Sequence, residues 1–132
     1  MPFPKDIIES MKICILNIFW PKDKIYEFFA EHCHKDDLKC ISTYNEMHRH
    51  QIIDAIFNHL ASIENNIGQY RSMLKAITEW SFFDPYYFHK LKKLDEHTAR
   101  QSIDNLKKVV TARDLKAKRR SRLIILSSNN KK

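Results

Sequence analysis

The chain has 132 residues, 43% hydrophobic and 11% aromatic, enough for one domain with a real core and too few for two of ordinary size. Its single glycine, Gly68, argues against an all-β fold, whose tight turns consume glycine, and favours helices. The formal charge of +7 sits at one end: residues 1–110 hold 15 Lys/Arg and 15 Asp/Glu, residues 111–132 hold 8 and 1, and so the body offers no phosphate-tracking surface.

Pro4 at a first helical position, followed by Ile7, Ile8, Met11, Ile15, Ile18 and Phe19 at helical spacing, predicts a helix over about 5–19 that Pro21 ends. A second helix over about 22–33 presents Ile25, Phe28 and Phe29 on one face, and the two are expected to form a hairpin. Trp20, between the two, is expected at the elbow of that hairpin, packed near Ile25 and Phe29 and sensitive to truncation. Residues 34–42 read as a loop or a single turn. Thr43 with Glu46 matches a capping box for a third helix to about Ile63, striped by Ile52, Ile53, Ile56 and Leu60.

Asn65-Asn66 interrupts the pattern, and Ile67, Tyr70, Leu74 and Ile77 restart it in a fourth helix over about 67–80, with Gly68 in its first turn. Asp84-Pro85 reads as cap and first residue of a fifth helix that holds Leu91 and Leu94. Ala99, Ile103, Leu106 and Val110 form a separate stripe, which predicts a break near Asp95. The expected architecture is all-α: a compact bundle of about five to six helices over residues 1–112, with a basic, flexible tail over 113–132.

The longest apolar run, Ile13 to Trp20, is interrupted by Asn17 and falls short of the roughly 20 residues that span a bilayer. Lys5, Asp6, Glu9 and Lys12 break up any secretory core, so no membrane association and a cytoplasmic location are expected. Cys14, Cys33 and Cys40 are odd in number and are expected as reduced thiols, with Cys14 a core filler.

Candidate chemistry is sparse. The cluster His32, Cys33, His34, Cys40, His48 and His50 lacks the paired spacing of a zinc site, with His48 and His50 expected to diverge, so no metal or other cofactor is expected. No arginine from Arg49 to Arg122 has a histidine four to six residues after it, which disfavours one class of small helical ribonuclease toxin. One glycine cannot build a phosphate-cradling loop or a serine elbow. Lys35 and Lys39 beside Cys33 and Cys40 are offset by Asp36 and Asp37. No catalytic residue is assigned, and the chain is not read as an enzyme.

Two features point to binding. Between Trp80 and Phe88 six of nine residues are aromatic. Trp80, Phe83 and Phe88 suit the core, but one helical stripe cannot bury all six, and Trp80, Phe82, Tyr86 and Tyr87 are the candidate anchors for a protein partner. The alternative is contact with nucleic acid through Lys116, Lys118, Arg119, Arg120 and Arg122 in the tail.

The opening Pro4 to Ile18, the junction Ile18-Phe19-Trp20-Pro21-Lys22, the short helix Ile25 to Phe29, the Tyr44 to Leu60 helix and the closing Ala99 to Val110 resemble an N-terminal helical domain. That domain heads uncharacterised bacterial proteins of anti-phage or restriction-type systems, some with helicase or nuclease modules downstream. The resemblance covers about residues 3–120, and its junction carries packing rather than chemistry. It implies a non-catalytic adaptor in bacterial defence or DNA processing. The family's chains continue where this one stops after Leu123 to Leu126 and a polar end, so a stand-alone relative or a truncated reading frame is expected.

Overall fold

A computed structural model describes the backbone of residues 3–130 and the side chains of residues 3–114. Five α-helices carry the architecture: α1 (Lys5–Ile18), α2 (Lys22–His32), α3 (Arg49–Ser62), α4 (Ile67–Thr78) and α5 (Glu96–Asn130). Two 3-10 helices, Lys35–Ile41 and Tyr44–Glu46, join α2 to α3, and a π-helical turn, Tyr86–Lys90, precedes α5. No strand occurs among the described residues, and the fold is all-α and compact. None of the described helices is long and apolar enough to cross a membrane.

The apolar stripes become the core almost as spaced. α1 buries Ile7, Met11, Cys14, Ile15 and Ile18, and α3 buries Ile52, Ile53, Ile56, Phe57 and Leu60. α2 contributes Ile25, Phe28 and Phe29, and α5 contributes Ala99, Ile103 and Leu106. In α4 the buried residues are Gln69, Tyr70, Met73 and Ile77, with Leu74 half-buried, so the face is turned slightly from the one expected. Cys14 is fully buried in the core as read, and burial pushes its thiol up to about 12.

Three local expectations are corrected. α1 packs most extensively on α5 and also touches α3 and α4, whereas α2 packs on α3, α4 and the two 3-10 helices. The first two helices therefore meet at Pro21 without forming a hairpin. Thr43 makes no side-chain cap, and the third helix starts at Arg49, where Gln51 Oε1 accepts from the His48 amide at 2.8 Å. The Tyr44–Glu46 turn is clamped instead onto α2: Tyr44 stacks on Tyr26 with centroids 4.6 Å apart, its hydroxyl donates to Asp23, and Lys22 donates to the Asn45 carbonyl. These contacts outweigh a local cap signal.

The fifth expected helix is only the π-helical turn. Asp84 Oδ1 accepts from the Tyr86 amide at 3.0 Å and Pro85 follows, as the capping pattern requires, but Lys92 adopts φ 53° and ends any continuation. Tyr87 O then accepts from the Lys93 and Leu94 amides, and Asp95 Oδ2 caps α5 by accepting from the Thr98 amide and hydroxyl. The break near Asp95 is where the stripe placed it. The α5 backbone runs on through Asn130, across the boundary placed at residue 112.

Candidate functional site

The C-terminal end of α1 sets up the site. Phe19 closes α1, its amide donating to Ile15 O, and Trp20-Pro21 turns the chain into α2. Arg49, from the first turn of α3, donates to the carbonyls of Leu16 and Phe19 and lays its guanidinium over the Trp20 ring, 4.5 Å from the centroid. It supplies donors to carbonyls that the helix end leaves without intrahelical partners. Lys93 Nζ stands 5.5 Å from the same ring centroid. Trp20 is half-buried among cations rather than packed into the core near Ile25 and Phe29, a correction that follows from the missing hairpin.

From that elbow a groove of about 400 Å³ opens between α2 and the segment 80–87. Phe19, Phe28 and Trp80 form its floor: Phe19 meets Trp80 edge-on at 5.0 Å and Phe28 at 5.4 Å, and the Trp80 indole N–H donates to the Phe82 carbonyl. Aromatic edges packed in this way hold one another in place. Trp20, Phe82 and Tyr87 complete the aromatic lining.

The structure thus brings together three of the four candidate anchors. Trp80 and Tyr87 are half-buried in the groove and Phe82 is 64% exposed at its edge. Tyr86 is outside the lining, 48% exposed and covered on its ring by Lys90 Nζ at 5.7 Å. Phe83 and Phe88 are buried edge-to-face at 5.5 Å, with the Arg100 guanidinium over Phe83. Trp80, assigned to the core by the same reading, lies between core and groove. The side chains of Lys116, Lys118, Arg119, Arg120 and Arg122 are outside the described residues.

Acidic groups flank the aromatic floor on both sides. Glu27 and Glu31, four residues apart on one face of α2, line one wall, and Asp84 lines the other. Lys24 pairs with Glu27 at 3.3 Å. His32 Nε2 lies 3.9 Å from Glu31, and burial lowers the imidazole below its usual value against the pull of that carboxylate.

A second polar cluster is structural. Asp37, 5% exposed, accepts from the His34 amide at 2.9 Å, meets His59 Nε2 at 2.9 Å and accepts from Gln69 Nε2 at 3.2 Å, tying the first 3-10 helix to α3 and α4. Burial raises its carboxyl, and the hydrogen bonds from His59, Gln69 and His34 outweigh that and hold it below the usual carboxylate range. Burial pushes the Cys33 thiol up to about 12 and also raises that of Cys40, so neither is an activated nucleophile. His48 and His50 do not diverge: their rings lie parallel at 5.8 Å, because His48 is in extended backbone before the helix. Among the described residues no three His, Cys, Asp or Glu side chains are grouped as metal ligands.

No family model matches the chain, and neither a curated protein nor a solved structure matches it.

Proposed function

We propose that this chain is a non-catalytic helical adaptor that docks a protein partner through the groove between α2 and the segment 80–87. The observation that carries the reading is the six-aromatic lining, in which Phe82 stays 64% exposed beside a floor held rigid by Phe19, Phe28 and Trp80. Exposed aromatic side chains over a packed floor are the side chains that dominate protein interfaces. The setting in a bacterial defence or DNA-processing system rests on the resemblance over residues 3–120.

Photo-crosslinking tests the reading. A photoreactive amino acid at Phe82 is expected to capture one protein in cells of the source organism, and the same group at Lys39, exposed and outside the groove lining, is expected not to. Equal or absent capture at the two positions overturns it. A second reading, nucleic-acid contact, rests on five cations within residues 116–122. It requires binding that falls steeply with salt and disappears when residues 113–132 are deleted.

A further inference from the structure

The groove has a second property beyond its aromatic lining: its walls carry like charge. Glu27 and Glu31 on α2 and Asp84 on the opposite segment, with Lys24 paired to Glu27, give the lining residues a net charge of −2, and the cations Arg49 and Lys93 stand at its Trp20 end alone. Lysine and arginine lay an apolar stem along aromatic surface while the head group seeks carboxylates, and their cations are attracted to aromatic faces. The Trp20 ring already has Arg49 and Lys93 beside it, which directs an incoming cation to the Trp80, Phe82 and Tyr87 side of the groove.

We infer that the partner segment is cationic and apolar together, an Arg- or Lys-bearing peptide whose cation lies over Trp80 and Phe82 between Glu31 and Asp84 and whose leucine-type neighbours cover the floor. This rests on the docking reading above and names the chemistry of the occupant. A volume of about 400 Å³ accommodates a few side chains of such a segment rather than a whole helix.

The chain reports on its own groove, because both of its tryptophans, Trp20 and Trp80, line it. The full chain is titrated with a short fluorescein-labelled peptide of alternating leucine and arginine, and with the same peptide carrying glutamine or glutamate for arginine. Tryptophan emission and fluorescein anisotropy are read at two salt concentrations. The arginine peptide is expected to bind, and the glutamine and glutamate peptides at least about tenfold more weakly. The double variant Glu27→Gln/Glu31→Gln, with an unchanged melting curve, is expected to weaken the arginine peptide about tenfold and flatten its salt dependence.

Equal binding of the arginine and glutamine peptides, or indifference to the double variant, overturns the cationic occupant and leaves the docking reading standing. Phe82→Ser is expected to weaken all peptides; if it weakens none and the crosslink at Phe82 is also absent, the docking reading itself fails. Sedimentation of the chain alone completes the test. Self-association abolished by Glu27→Gln/Glu31→Gln would make the occupant the basic segment of a second copy, which overturns a separate partner.

Discussion

Asp37 is a buried carboxylate surrounded by donors from three elements, and its removal takes a partner from the His34 amide, the His59 ring and the Gln69 amide together. Asp37→Ala is expected to cost about 2 kcal/mol by urea unfolding, because the Gln69 amide is left without a partner in the interior, whereas the partly exposed His59 ring and the His34 amide can turn to water. The sign of its pH dependence follows from the direction of its shift. A carboxyl held below its usual range contributes stability that is fully present above the unfolded value of about 3.9 and is lost as pH falls through the lower folded value. Asp37→Asn should therefore be less stable than wild type at neutral pH, and the gap should close as pH falls below about 4. A constant gap across that window would remove Asp37 as its source. Lys92 makes the opposite kind of prediction: at φ 53° it pays a steric cost that glycine does not, so Lys92→Gly should leave stability unchanged or raise it by up to about 1 kcal/mol. Neither residue stood out in the sequence. Asp37 is one of several acidic residues among lysines, and the 22 and 32 residues that separate it from His59 and Gln69 leave no periodic trace.

At the scale of the element, the end of α1 depends on a residue from another helix. Arg49→Ala removes both donors to the Leu16 and Phe19 carbonyls and the cover over Trp20, and about 2 kcal/mol of destabilisation is expected in thermal or urea melts. Arg49→Lys should recover only part of it, since an ammonium can donate to the two carbonyls that Arg49 Nη2 serves but has no planar face to lay over the Trp20 ring. Trp20→Ala, by contrast, should cost only about 1–2 kcal/mol, and Phe29→Ala, at a fully buried site, about 3–5 kcal/mol. Reversal of that order would place Trp20 back in the core. The aromatic junction after α4 divides in the same way. Phe83 and Phe88 lie under Arg100 and in the core, whereas Phe82 faces out, so Phe82→Ser should leave the melting temperature nearly unchanged while Phe88→Ala lowers it by several degrees.

For the whole molecule, the described core closes within residues 3–110, and the last described tie from α5 to the body is Arg113 Nε to Asp6 at 2.7 Å. That exposed pair is worth little to stability. A chain ending at residue 114 is therefore expected to melt within a few degrees of the full chain, and a larger fall would show that residues 115–132 pack on the body. Without reaching the buried Ile41, Phe57 and Met73 or the exposure of Leu91, the sequence by itself determined the helical class, the breaks at Pro21, Asn65-Asn66 and Asp95, and most core positions. Those are local properties: one glycine, prolines at segment edges, and apolar residues repeating at the period of a helix turn. Only the tertiary structure decided which helices pair, where α3 begins, and which aromatics of the 80–88 stretch face outward. Helix pairing depends on how several apolar faces are shared at once, so α2 could leave α1 for α3 with no change in its own pattern. The groove is likewise non-local. Glu27 with Glu31 and Trp80 with Asp84 are each four residues apart, but no period links the two pairs, and they form one acidic, aromatic surface only because α2 and the segment after α4 meet over Phe19 at the end of α1.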